Sequence, residues 1–298
     1  MSGFLKLLRA KWSPPAVPTT SFAGKTVFIT GSNTGLGFEA ARRFLALSAS
    51  RVILAVRSPS KGQKAADLLE ADFPNLKEGS ISVLPLDMNS YASIVAFVER
   101  INADFERIDV AVLNAGLLNR TYCKSPEGWE ETLQVNTIST ALLALLLLPK
   151  LRAAKSGSWG LANLVVVSSG NHTRVKRSSL PSSSENILRA CNANTGTYNG
   201  QLQYNISKVF VMYVFRALSA LATSQNGEPQ VLVTACCPGF CVSDLARPYD
   251  AWYERIFIWL FYKIFGRSQE EGSRTLVSAA GLGLEGHGGY WKDDHILR

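Results

Sequence analysis

The run Thr26-Val27-Phe28-Ile29-Thr30-Gly31-Ser32-Asn33-Thr34-Gly35-Leu36-Gly37 leads into a helix-like stretch from Phe38 to Leu47. Its first five residues are β-branched or aromatic, as a strand favours. Three glycines then punctuate the turn. A strand feeding a glycine-rich turn feeding a helix suits a dinucleotide. The glycines let the backbone bend tightly and approach a pyrophosphate, and the helix N-terminus offers N–H groups and the positive end of its dipole. The spacing is G-x-x-x-G-x-G, a variant of the commoner G-x-G-x-x-G. Taken alone, such a cluster also describes a strand-to-helix turn that binds nothing.

The surroundings decide between those readings. Strand-like and helix-like stretches alternate along the chain: Arg51–Val56, Ser58–Ala71, Ser80–Leu86, Ser90–Phe105, Asp109–Leu113, a long helix from Glu127 to Leu151, Leu164–Val167, a helix from Asn199 to Thr223, and Gln230–Ala235. This order predicts an α/β fold, a single doubly wound parallel sheet of the Rossmann kind with helices on both faces. The later strands are near-continuous aliphatic runs, as strands covered on both sides are. The predicted division is an N-terminal extension over residues 1–23 and one domain over 24–298. Ligands of such sheets bind beyond the carboxyl ends of the strands. Gly31 to Gly37, Arg57, Asp87, Asn114 to Gly116, Ser168/Ser169 and Pro238-Gly239 all fall there.

Bulk properties fit a folded protein of this size. The chain has 298 residues, 47% hydrophobic and 18% charged, with a formal charge of +8 that favours an anionic cofactor or an acidic membrane surface. No Lys/Arg stripe interleaves with aromatics, so nucleic acid is not an expected partner. Arg174, Lys176 and Arg177 read as a solvated loop. The five cysteines, Cys123, Cys191, Cys236, Cys237 and Cys241, form no C-x-x-C pair and meet no histidine cluster. Neither a metal site nor a disulfide framework is expected, and a reducing, cytoplasmic setting fits best.

Chemistry enters with Tyr204 and Lys208. Of nine tyrosines, only Tyr204 has a lysine four residues on, which sets the two on one helix face. A phenol ordinarily titrates near ~10, and a nearby ammonium would stabilise its anion and fit it for proton transfer. Ser169, closing the fifth strand, offers a hydroxyl to a substrate oxygen, or else caps a turn. Asn136, inside the long helix, either serves the site or is locally bonded.

Together, Thr30-Gly31-x-x-x-Gly35-x-Gly37, Asn114-Ala115-Gly116, Asn136, Ser169, Tyr204-x-x-x-Lys208 and Pro238-Gly239 resemble the short-chain dehydrogenase/reductase family in its shorter form. The likeness runs from Gly24 to about Ala280. Gly31-Ser32-Asn33-Thr34-Gly35-Leu36-Gly37, Val52 to Arg57 and Leu86-Asp87 resemble its retinol-dehydrogenase-like branch and the fungal relatives of secondary-metabolite pathways. The resemblance implies hydride exchange between a nicotinamide and a carbonyl or alcohol. It implies that Tyr204 is the acid/base, that Lys208 binds the nicotinamide ribose and lowers the tyrosine's pKa, and that Ser169 orients the substrate oxygen. Asn136 would hold a relay water. Gly31, Ser32, Asn33, Gly35, Leu36, Gly37, Asp87, Asn114, Ala115, Gly116, Pro238, Gly239, Cys241 and Ser243 would surround the cofactor. A threonine is commoner than Ser243 at its position.

At the end of the second strand stand Val56 and then Arg57, with Lys61 beyond, where an acidic residue would select NAD. A guanidinium matches a 2′-phosphate, so the expected cofactor is NADP(H). The aromatic stretch Arg247 to Phe265 reads as a cover for a bulky apolar substrate, as a membrane-contacting patch flanked by Arg255 and Lys263, or as core packing. Residues 4–12 form either a weak interfacial helix or a cover for the protein's own surface. The leucines of Ala141 to Leu148 suit a helix–helix homodimer contact or plain core. No apolar run reaches the ~18 residues of a membrane span.

Overall fold

A computed structural model describes residues 3–154, 160–181, 186–192, 197–246, 249 and 251–298. Strand β1 (Thr26–Thr30) is followed by helix α2 (Gly35–Ala46), helix α1 being the N-terminal Gly3–Trp12. Then come β2 (Arg51–Val56), α3 (Pro59–Asp72), β3 (Ile81–Pro85), α4 (Tyr91–Asp104) and β4 (Val110–Leu113). A continuous helix α5 (Glu131–Ala153) leads to β5 (Asn163–Val167). After α6 (Ile187–Asn192), α7 (Gly200–Leu221) and β6 (Leu232–Cys237) come α8 (Trp252–Phe265), α9 (Gln269–Ala280), β7 (Tyr290–Lys292) and β8 (His295–Leu297).

The sheet order is β3-β2-β1-β4-β5-β6-β7-β8, parallel except for the final β7–β8 pair. The doubly wound sheet is therefore present, with two short C-terminal strands and helix α9 that the sequence reading did not resolve. Side chains of β1 alternate as the pleat demands. Phe28 joins a core with residues of α4, α5 and α7, while Val27 and Ile29 join a second core with residues of α2, α3 and α9. Helix α5 is longer than the apolar run inside it, and its most apolar window has a mean hydropathy of 1.5. Some 67% of that window is buried within the domain, so α5 serves here as a core helix.

Strand β1 has β2 on one side and β4 on the other. That reversal of winding opens a crevice at the carboxyl ends of β1 and β4, the usual place for a ligand.

The N-terminal extension does not stand apart from the domain. Arg267, between α8 and α9, is 1% exposed. It donates to Ala10 O at 3.0 Å, Ser13 O at 3.1 Å, Pro238 O at 3.3 Å and Asp293 Oδ1 at 2.8 Å. Arg274 adds a bond to Pro15 O, and the Ala16 N–H donates to Asp294. One buried guanidinium thus joins the start of the chain, the loop after β6 and the C-terminal hairpin. Removing a partner from such a cluster strands the others. Arg267→Leu should lower the unfolding free energy in urea by about 3 kcal/mol, and Arg267→Lys should recover only part of it, since an ammonium cannot reproduce the fork. A loss below about 0.5 kcal/mol in Arg267→Leu, the level of an ordinary surface change, would show that the clasp holds nothing.

Candidate active site

The glycine turn is built by the end of β4. Asn114 Nδ2 donates to Thr30 O at 2.9 Å and to Gly31 O at 3.3 Å. In return the Thr30 hydroxyl accepts the Asn114 and Ala115 N–H groups at 2.9 and 2.8 Å. Gly31 has a φ of 66°, in the left-handed region. A Cβ on Gly37 would lie 2.5 Å from Gly31 O and 2.7 Å from Asn114 Nδ2, so only glycine lets α2 approach this closely. Thr34 is the N-cap of α2 but gives no side-chain cap, its hydroxyl donating instead to Asp244 at 2.8 Å. The first-turn N–H groups of α2 are therefore left for another acceptor, which a pyrophosphate would supply.

That turn borders a cleft of about 610 Å³ whose lining includes Arg57, Asp87, Asn114–Gly116, Ser169, Tyr204 and Lys208. Asn33, Gly35, Leu36, Pro238, Gly239, Cys241 and Ser243 line it too. Three residues of the expected cofactor set do not. Ser32 is fully buried and donates to Ile29 O at 2.9 Å, Gly37 supports the turn from behind, and Lys61 is exposed on α3. Arg57 is exposed at the end of β2 and reaches the cleft. Asp87 is fixed by the Asn89 N–H at 2.9 Å.

Tyr204 and Lys208 lie on α7, whose start is capped by Asn199 accepting from the Leu202 N–H. Both are buried, with the ammonium 5.8 Å from the phenol ring's centre. The amine donates to Val167 O at 3.0 Å. Burial pushes the Tyr204 phenol up to about 12, against a hydrogen bond from Ser169 that lowers it. Burial also pulls the Lys208 amine down to about 8. The expected lowering of the phenol by Lys208 is not what this geometry produces. The amine's hydrogen-bond partner is a strand carbonyl, and loss of water dominates both groups. A buried, protonated phenol beside a hydroxyl can give a proton to an oxygen placed between them.

Of its two expected parts, Ser169 takes the turn cap, and it also faces the Tyr204 phenol. Its hydroxyl bonds the Tyr204 phenol and also accepts from the Asn171 N–H at 3.3 Å, capping a short 3-10 turn. Asn136 lies in a π-helical turn, Gln134–Ser139, within α5. Its carboxamide is fully engaged: the oxygen accepts from the Leu117 N–H at 2.8 Å, and the nitrogen donates to Leu117 O at 2.9 Å and Ser207 Oγ at 3.0 Å. The side chain therefore braces the loop after β4 against the helix that carries Lys208, one residue beyond Ser207.

Known proteins resemble the chain in sequence and in fold. A family model described as short chain dehydrogenase matches residues 25–181. The chain is 44% identical to the short-chain dehydrogenase/reductase ffsI of Aspergillus flavipes, over 95% of this chain and 81% of that one. It is 41% identical to the short-chain dehydrogenase/reductase phmF of Phaeosphaeria nodorum, over 96% and 82% respectively.

The chain belongs to the short-chain dehydrogenase/reductase family.

A short-chain type dehydrogenase/reductase from Mycobacterium marinum shares the fold, with a TM-score of 0.66 at 16% identity over 97% of each chain. As a member of this family the protein is an oxidoreductase with a site for a nicotinamide cofactor.

Several cleft residues escaped the sequence reading. Glu131 lines the cleft and accepts from Asn89 Nδ2 and Asn119 Nδ2, both at 2.7 Å, tying the loops after β3 and β4 together. In sequence it looks like any acid in a first helical turn. Gln201 and Phe240 line the cleft as well, whereas Tyr249 and Tyr262, also in its lining, fall within the aromatic stretch 247–265 that the sequence offers as a substrate cover. Of the aromatic stretch, Arg247, Pro248 and Asp250 lie outside the described residues.

Proposed function

We propose that the protein is an NADP(H)-dependent oxidoreductase acting on a bulky apolar ketone, aldehyde or alcohol, as a tailoring step in secondary-metabolite biosynthesis. The reading rests on one observation: Arg57, after β2, and the Ser169/Tyr204/Lys208 group line the same cleft. Arg57 takes the 2′-phosphate where an acid would repel it, and Asn114 to Gly116 and Pro238-Gly239 flank the rest of the dinucleotide. The bound nicotinamide supplies or accepts the hydride. In reduction, Tyr204 gives its proton to the substrate oxygen while Ser169 donates a hydrogen bond to the same atom. Lys208, charged below about 8, offsets the phenolate left behind and binds the ribose.

The apolar substrate class is inferred from Leu118, Phe240, Leu245, Tyr249 and Tyr262 around the far end of the cleft. The outer face of α5, where Leu145 and Leu146 are exposed, suits a homodimer contact. The leading reading sets the protein in the cytoplasm; its close alternative is a membrane-associated retinoid- or lipid-type dehydrogenase, peripheral to an intracellular membrane. A non-catalytic NADP-binding regulator is the contrasting reading, but such a protein has no use for a proton donor beside the nicotinamide.

Three measurements test this. Arg57→Asp should reverse the ratio of kcat/KM for NADPH over NADH, and an unchanged ratio would remove Arg57 from cofactor choice. Tyr204→Phe should bind NADPH as the parent does yet lose turnover by about 10²-fold or more, so near-parental activity would overturn the acid/base assignment. Because Lys208 loses its charge as pH rises through about 8, kcat/KM for NADPH should fall above that pH. Lys208→Arg, charged throughout, should lack that descending limb.

A further inference from the structure

Helix α8 contributes no buried residue to the fold, though most of its side chains are large and apolar. Its exposure follows the helical period. Glu254, Ile258, Phe261, Tyr262 and Phe265 are half-buried, while Trp252, Tyr253, Ile256, Phe257, Trp259, Leu260 and Ile264 face outward. At 100° per residue those seven span an arc of about 160°. Trp252 is 74% exposed, Phe257 66% and Trp259 58%. The inner side is explained by the cleft, where Tyr262 lines the wall and Phe240 packs on Phe261 and Tyr262. Nothing among the described residues covers the outer side.

Helix α1 packs against α8 and extends this surface. Lys11 Nζ donates to Gly266 O at the end of α8, and Arg267 holds Ala10 O and Ser13 O, so α1 is clamped beside its neighbour. Trp12, at the end of α1, is 82% exposed, and Leu5 is exposed as well.

The charges on this paired surface have one sign. Arg9, Lys11, Arg255 and Lys263 stand on or beside it, and α1 contains no acidic residue. The single carboxylate of α8, Glu254, points away and pairs with Arg120 at 3.0 Å. Lys263 lies within the apolar arc, its amine 4.9 Å from the Trp259 ring's centre. Pairing the face with a second copy of itself would bury like charges against each other. Tryptophan and tyrosine among aliphatics, with cations beside and between them, match the level of lipid headgroups instead.

We propose that α1 and α8 together form a docking surface for an anionic lipid bilayer. The two helices lie in the plane of the interface, with the indoles among the headgroups and the Lys263, Arg255 and Arg9 stems reaching out to phosphates. Since the inner side of α8 closes the cleft, a docked bilayer lies about one helix diameter, ~10 Å, from the substrate end.

The test is sedimentation of the full chain with phosphatidylcholine vesicles and with vesicles containing 30% phosphatidylserine (about a third anionic lipid). Binding should favour the anionic vesicles and weaken with salt. The Trp252→Ser/Phe257→Ser/Trp259→Ser variant should partition at least about tenfold less, and Lys263→Glu should lose the preference for anionic lipid. Circular dichroism checks that both remain folded. A parent protein that stays in the supernatant with anionic vesicles at low salt overturns the proposal. So does light scattering that finds the parent dimeric and the triple variant monomeric, which would make the face a contact between copies. Binding is read without turnover, so its failure leaves the NADP(H) reading of the cleft untouched.

Discussion

The carboxamide of Asn114 holds the ends of β1 and β4 in one geometry by donating to Thr30 O and Gly31 O, while the Thr30 hydroxyl takes two N–H groups back. These two strands flank the point where the sheet reverses its winding, and an open sheet has its crevice there. With that junction set, the turn must carry a glycine at positive φ and another under the Asn114 amide. The uncapped start of α2 then faces the cleft. Everything chemical in the molecule is arranged around this latch.

Tyr204 and Lys208 show how burial, more than pairing, sets the titration of two neighbouring groups. Tyr204 and Lys208 share a face of α7, yet the amine bonds Val167 O and the phenol bonds Ser169. Loss of water favours the neutral form of both, which raises one pKa and lowers the other. The phenol thereby keeps its proton. Asn136 and Ser207 act on this pair from a distance, bracing the helix through a π-helical turn that frees the Asn136 side chain to reach two elements at once.

The periphery is organised by a second polar hub, Arg267. Its guanidinium joins residues near both termini to the loop after β6 that borders the cleft. The position of α1 beside α8, and therefore the shape of the exposed apolar surface, follows from that buried cation.

What the sequence by itself determined is whatever local pattern records: the alternation of strands and helices, the glycine turn, the Tyr204–Lys208 spacing and the aliphatic β4–β6 run. Boundaries of the main elements fell within a few residues, because capping residues and aliphatic periodicity are local signals. Strands β7 and β8 escaped, since three residues each carry too little pattern and are strands only by pairing with β6 and with each other. Glu131 and Arg267 escaped for the same reason: their partners lie 12 to 257 residues away along the chain. Only the tertiary structure decided that Ser32 and Gly37 support the turn from behind and that the Asn136 carboxamide braces two elements. It also decided that Lys208 sits too dry to behave as an ordinary lysine, because contact and desolvation depend on distance in space and not on distance in sequence.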